Sequence, residues 1–244
     1  MSSRRIMPAM ALFAVQLSLA LSPGAWAVNI KDELQAATAK FRDLTATFVS
    51  TYTNKNELSK MGKSYARSYE FKEAKLFFKD PDKFKIEGKL GMIRMEYIIA
   101  GDIRVFRVPS LHISKKEDLS KKGGKKQTCI DVGMITDGIW KTFDVRLIGE
   151  DSGTYVIDIA PPEDPDFRQR IWMDCKDLYM CKREQYDRKG RLRARYLFKN
   201  HKRVDGVIWV AGKTEMYNRS GGLAGISELR DIKVNDGVAD SEFR

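Results

Sequence analysis

The side chains that could support catalysis are few and scattered along this chain. There are only two histidines, His112 and His201, and neither has another metal-binding residue at helical or turn spacing. The sequence contains no Gly-x-Ser-x-Gly elbow, no His-Glu-x-x-His pair and no phosphate-binding loop. Carboxylates are numerous, but no two of them stand out as a glycosidase pair. The sequence therefore favours a binding protein over an enzyme, and it predicts no cofactor and no metal site.

Two of the three cysteines, Cys175 and Cys181, flank a short segment that suits a hairpin loop. Pairing them across the hairpin also sets Asp174 opposite Lys182, which is a favourable cross-strand pair. The neighbouring register loses this match. In an oxidising compartment we expect a disulfide between the two, with a pair of unpaired structural thiols as the alternative. Cys129 is expected to remain free.

Basic side chains alternate with apolar ones in one segment. Arg191, Arg193 and Arg195 are separated by Leu192 and Ala194, so in a strand the two sets lie on opposite faces. One interpretation is a half-buried strand with a solvated row of charge. The other is a patch that binds anionic lipid head groups or an acidic partner.

The first residues have the features of an export signal. Arg4 and Arg5 precede a short apolar segment, residues 7–21, and Ala25-Trp26-Ala27 is a small-x-small cleavage site. We therefore expect a signal peptide over residues 1–27, a single domain over residues 28–244, and a periplasmic location. The net charge of +11 suits an anionic surface or partner, but export argues against nucleic acid.

The elements that must position these residues are mainly β-strands. Polar and apolar residues alternate from Tyr155 to Val234, with breaks at Asp187–Gly190, Arg203–Gly206 and Asn218–Gly222. Shorter runs of the same kind lie between Thr45 and Val108. An antiparallel meander of this length curls because strands twist. Its inner face must then be filled by side chains, a helix or a ligand.

Three other segments have distinct patterns. Asn29 is predicted to cap a helix with an apolar stripe at Ile30, Leu34, Ala37, Phe41 and Leu44, which either covers the sheet or plugs a half-barrel. The lysine-rich segment 114–127 is predicted to be a surface loop, and residues 54–62 a connection. A helical lid is predicted near residues 130–143.

Several of these segments together resemble the LolA-like family of periplasmic outer-membrane lipoprotein carriers. The similar motifs are Leu44–Phe48 after the helix, the strand-Pro-aromatic segment Phe78–Ile86, the hairpin Ala100–Pro109 and the closing segment Asn235–Phe243. The resemblance is spread over most of the chain after residue 27. One position departs from the family: Asp80 replaces the arginine before the proline that helps hold the family's lid closed.

The resemblance implies a half-open antiparallel β-barrel with an N-terminal helix and a helical lid over an acyl cavity. It places Phe84 where the family has a cavity aromatic. The full set that we expect to line the cavity is Phe48, Tyr69, Phe84, Tyr97 and Trp209. The implied function is carriage of lipid or lipoprotein acyl chains from an inner-membrane transporter to an outer-membrane acceptor. The alternatives are a lipid-sensing regulatory protein of the same fold and a secreted hydrolase.

Overall fold

The computed structural model describes residues 23–62, 69–121 and 126–244, with side chains from Ile30 onwards. The strands form one 13-stranded antiparallel sheet in the order β6-β5-β4-β3-β2-β1-β13-β12-β11-β10-β9-β8-β7. Strands that are neighbours in the sheet are also consecutive in the chain, except for the pair β1–β13. The two edge strands, β6 and β7, do not pair with each other, so the barrel is not closed. The predicted mainly β fold, a half-open antiparallel barrel, is confirmed.

The elements have the following bounds. The helices are α1 (Pro23–Thr38), α2 (Lys55–Met61) and α3 (Asp137–Thr142), with 3-10 turns at Pro109–Leu111, Cys129–Val132 and Asp240–Phe243. The strands of the first half are β1 (Asp43–Thr53), β2 (Glu73–Lys79), β3 (Lys83–Leu90), β4 (Ile93–Ala100), β5 (Ile103–Val108) and β6 (Ile113–Asp118). Those of the second half are β7 (Asp144–Asp151), β8 (Thr154–Ala160), β9 (Gln169–Asp174), β10 (Met180–Tyr186), β11 (Leu192–Val204), β12 (Ile208–Asn218) and β13 (Leu223–Val234).

Period-two alternation sets the two faces of the sheet. In β2, for example, Ala74, Leu76 and Phe78 are buried while Glu73 and Lys75 are exposed. The register carries the buried residues of β2 next to those of its neighbours, so that Leu76 lies opposite Ala46 on one side and Ile86 on the other. The result is one continuous apolar face, which the curvature makes concave.

The other face of β2–β5 is covered by the end of the chain. Val238 and Phe243 pack with Ile98 in a small second core. The carboxylate of Asp240 lies 2.8 Å from the ammonium group of Lys79 and 2.9 Å from that of Lys83. The C-terminal segment is therefore held on the convex face by apolar contacts and by charge.

Four sequence predictions need correction. Helix α1 begins at Pro23, so Asn29 lies within it and is not its cap. Residues 25–27 also lie in α1, and the signal peptide over residues 1–27 stays a prediction. The predicted connection 54–62 contains α2, because the Asn54 side chain accepts hydrogen bonds from the backbone N–H groups of Asn56 and Glu57, both at 3.2 Å.

The third correction concerns the lysine-rich segment, whose first part forms strand β6 because its backbone pairs with β5 while the lysines remain exposed. An edge strand can carry lysines at no cost in burial. The fourth concerns the lid, which is not one helix over 130–143 but a 3-10 turn, a short link and α3. Residues 1–22, most of the predicted signal peptide, lie outside the described residues. Within the described part of the chain, no helix is long and apolar enough to span a bilayer.

Candidate functional site

The concave face and the segment that covers it form the candidate site. Its walls are apolar side chains from nearly every strand, among them Leu76, Phe84, Ile99, Ile157, Ile171, Met173, Tyr196, Phe198 and Met216. We call residues 129–143 the lid. Helix α1 adds Leu34 to the same cluster, and the lid adds Ile130, Met134, Ile135 and Ile139. The lid lies in the connection between the two edge strands, so it crosses the open side of the barrel.

Two glycines allow the lid to approach the sheet closely. A Cβ atom at Gly133, whose φ is 79°, would lie 2.6 Å from Cδ1 of Phe198. A Cβ atom at Gly138 would lie 2.8 Å from both Oδ1 of Asp80 and Cβ of Pro81. Any larger residue at these positions would push the lid away from the walls.

Asp80 fastens the lid to the sheet. The Thr136 hydroxyl donates to Oδ1 of Asp80 at 2.6 Å, and the backbone N–H of Asp137 donates to the Thr38 hydroxyl on α1 at 3.2 Å. Burial raises the pKa of Asp80, although the Thr136 hydrogen bond opposes this change. The residue that departs from the family pattern thus holds the lid as an acceptor.

A buried ion pair makes a second link between lid and wall. Arg183 on β10 faces the concave side and its side chain is only 1% exposed. Its Nη1 lies 2.7 Å from Oδ1 of Asp131 in the lid, and its guanidinium group lies 4.4 Å from the centre of the Tyr196 ring. Burying an arginine is costly unless a charge partner stays in place, so the pair couples the wall to the lid position.

The enclosed space at the site is small in this conformation. A cavity of about 120 Å³ lies between α1, the lid and the turns β9–β10 and β11–β12, with Ile135, Leu178 and Trp209 among its lining residues. A cavity of about 150 Å³ holds a benzene molecule. An acyl chain that enters at this cavity is larger than the space there, so its entry needs the lid or α1 to move outward.

The five predicted cavity residues lie in three places. Phe84 is buried on the concave face opposite Phe78 and Ile99, and Tyr97 is on the same wall, where its hydroxyl donates to Gln127 beside the lid. Phe48 and Tyr69 contact each other edge-on, with centroids 6.2 Å apart.

Trp209, near the start of β12, lies 5.5 Å from Tyr179 at the small cavity. Burial raises the pKa of Tyr69 to about 12, so its phenol stays neutral. The structure therefore brings Phe84 and Tyr97 together on one wall, pairs Phe48 with Tyr69, and places Trp209 at the small cavity.

The arginine row, with Arg191 just before β11 and Arg193 and Arg195 on it, is largely paired with acids. Arg191 lies 2.7 Å from Asp187 and Arg195 lies 2.9 Å from Glu184. Burial alone would raise the pKa of Glu184, but hydrogen bonds from Tyr186 and Arg195 and the charges of Lys182 and Arg195 outweigh it, so the pKa is lowered. The row faces the convex side, away from the lid. Its role as a head-group patch stays a prediction.

The predicted disulfide between Cys175 and Cys181 is not formed in this structure, in which all three cysteines are free. The strands of this hairpin pair in a different register from the one expected, in which Asp174 faces Lys182. The Asp174 N–H donates to the Tyr179 carbonyl at 2.9 Å, and Lys182 lies opposite Trp172. The reason is a tight turn in which the Asp174 carboxylate accepts from the N–H groups of the two residues that follow Cys175. That turn leaves the two thiols out of register.

His201 and Cys129 are held by contacts with their neighbours. His201 makes a 2.8 Å hydrogen bond with the Met180 carbonyl and stacks on Tyr179 at 4.1 Å, and burial lowers its pKa. Burial raises the pKa of Cys129 to about 12, which makes it a poor nucleophile. Among the residues that the structure describes, no group of three or more His, Cys, Asp or Glu is arranged to hold a metal ion.

Sequence reasoning missed the lid-to-wall links. Arg183 and Gln185 are two residues apart, so they lie on the same face of a strand. Two polar residues at this spacing normally indicate a face in contact with solvent. Their burial follows from the curvature of the whole sheet.

Comparisons with known proteins agree with this geometry. A family model described only as an uncharacterised protein family matches residues 112–244. The chain belongs to this family. No curated protein sequence matches.

Among solved structures, an outer membrane lipoprotein-sorting protein domain from Vibrio parahaemolyticus is similar, with 16% identity, a TM-score of 0.62 and coverage of 89% of this chain and 95% of that one. A LolA superfamily protein from Nitrosomonas europaea matches at 14% identity and a TM-score of 0.57, covering 89% and 97%. A DUF1329 family protein from Desulfovibrio piger matches at 15% identity and a TM-score of 0.56, covering 92% and 98%. The fold is LolA-like.

Proposed function

We propose that this protein is a periplasmic carrier that binds lipid or lipoprotein acyl chains on its concave face for transfer towards the outer membrane. The observation that carries the proposal is a continuous apolar wall covered by a separate segment rather than by the sheet itself. The LolA-like fold supports it, as does the name of the lipoprotein-sorting domain from Vibrio parahaemolyticus. A donor transporter and an acceptor in the outer membrane are the partners that such carriage needs.

Acyl binding needs no catalytic group. Burying an acyl chain gains about 0.8 kcal/mol per methylene, and moving the lid exposes the wall that receives it. The polar links between lid and sheet are few and specific, and the strongest by geometry are Thr136–Asp80 and Asp131–Arg183. When these contacts break, the lid can move away from the sheet while the strands stay paired.

The test is uptake of a fluorescent fatty acid by delipidated protein, compared between two threonine variants. Thr136→Val removes the hydroxyl that bonds to Asp80, so the lid opens more readily and probe uptake should be several-fold faster. Thr142→Val is the control, since its hydroxyl donates to the Gly138 carbonyl within the lid helix and does not contact the sheet. Absence of probe binding to the wild-type protein contradicts the proposal.

A further inference from the structure

One end of the sheet exposes an unusual concentration of large apolar side chains. The turn between β3 and β4 presents Met92, which is 98% exposed, between Leu90 and Ile93, each 40% exposed. Leu90 and Ile93 face each other in the register and close the hairpin. Clustered exposed apolar residues on a soluble protein mark a surface that contacts something apolar.

The next loop along this edge has the same character. Leu111 is 55% exposed and Ile113 is 39% exposed in the connection between β5 and β6. The two loops lie at the same end because β4 leaves the first turn and β5 returns beside it, with Glu96 opposite Arg107. The helical turn before Ile113 also contacts β4.

Two basic side chains, Lys89 and Arg94, lie behind the apolar tip. Lys89 lies opposite Arg94, immediately behind the Leu90–Ile93 pair. Arg94 is shared between Glu87, at 2.9 Å, and Glu96, at 3.1 Å, whereas Lys89 makes no ion pair within the described ranges. Lysine beside an exposed apolar tip favours a surface that is apolar inside and anionic outside.

We propose that the tip of this hairpin, residues 89–94, inserts into the interface of an anionic membrane. Apolar side chains can then enter about 5–10 Å into the boundary between head groups and acyl chains, while Lys89 stays at the head-group level. The Trp209 cavity lies at the other end of the strands, so the attached protein leaves that cavity in water. The inference does not depend on acyl binding by the concave face.

The test is sedimentation of the protein with vesicles of phosphatidylcholine alone or mixed with phosphatidylglycerol. We expect binding to the mixed vesicles that weakens as salt rises. The double variant Leu90→Ser/Met92→Ser should bind about tenfold more weakly, because two apolar side chains no longer leave water. The control is Ile148→Ser on the edge strand β7, where Ile148 is 47% exposed and should change binding by less than about twofold.

Two outcomes overturn the proposal. One is equal binding by the tip variant and the wild-type protein. The other is a wild-type dimer in analytical ultracentrifugation that the tip variant abolishes, since the apolar tip would then serve contact between two copies. Circular dichroism of the variants confirms that they are folded, as expected for substitutions at an exposed turn.

Discussion

Removal of the buried charge partner in the lid, by Asp131→Asn, should destabilise the protein markedly. The substitution leaves Arg183 in the concave wall, 1% exposed, without the carboxylate 2.7 Å from its Nη1. Breaking a fully buried ion pair costs about 3–5 kcal/mol. Because the Asp131 side chain is 30% exposed, water replaces part of the lost interaction, and we expect a cost of about 2–3 kcal/mol.

Asparagine is the suitable substitution because it keeps the local turn. Oδ2 of Asp131 accepts the Thr128 N–H at 2.9 Å, and an amide oxygen can do the same. The measured loss of unfolding free energy then reports the removal of the charge and not the loss of the hydrogen bond from the Thr128 N–H. Glu228→Gln is the matched control, since Glu228 pairs with Arg230 at 2.8 Å on the exposed face, where such pairs contribute at most about 1 kcal/mol.

The assay is urea denaturation followed by tryptophan fluorescence. With a slope of about 2–3 kcal/mol per molar urea for a domain of this size, the midpoint should fall by about 1 M in Asp131→Asn. Adding Arg183→Met should recover part of this loss, because both charges are then absent. A midpoint within about 0.2 M of the wild type, or a double variant whose losses simply add, would refute the coupling between lid and wall.

Three further predictions follow from the same structure. Phe84→Glu places a carboxylate among buried apolar side chains, so urea denaturation should show a loss of about 4 kcal/mol or more; a stable variant that has lost only acyl binding would instead mean that Phe84 faces an open cavity. Glu215 has its pKa lowered from 4.5 to about 2, first by its hydrogen bond with Lys199, so its contribution to stability is complete above pH 4.5 and is lost as pH falls towards 2. Glu215→Gln should therefore flatten the acid limb of the stability curve, and an unchanged limb would contradict this assignment. Thiol titration of the denatured, unreduced protein should find three reactive groups; a single one would mean that two had oxidised to a disulfide.

Much of the fold was predictable because local patterns and the fold agree. The alternation from Tyr155 to Val234 predicts six strands, and the structure has β8 to β13 there. Turn residues with positive φ, such as Gly190, Gly206 and Gly221, lie at the predicted breaks. The alternation of polar and apolar residues and the residue types at turns are local properties, so a single sequence is enough to predict strands and turns from them.

The site was less predictable because it depends on contacts between distant residues. In the sequence, Asp80 in place of arginine indicates that a lid contact is lost. In the structure, the Thr136 hydroxyl, far along the chain, donates to Asp80, so Asp80 does contact the lid. Trp209 and Phe84 have the same apolar character in sequence, but Phe84 lies among the buried side chains of β2 and β4, whereas Trp209 contacts Tyr179 and lines the small cavity. The curvature that buries Arg183 belongs to the whole sheet and to no single strand.

The most direct test of the proposed carrier function is native mass spectrometry of the protein purified from its own host. We expect a fraction of the protein to carry added mass from an acyl-containing lipid, and we expect this lipid to be released when Thr136→Val weakens the lid contact. Protein that is empty in every preparation, and that also fails to take up a fluorescent fatty acid after delipidation, would contradict it.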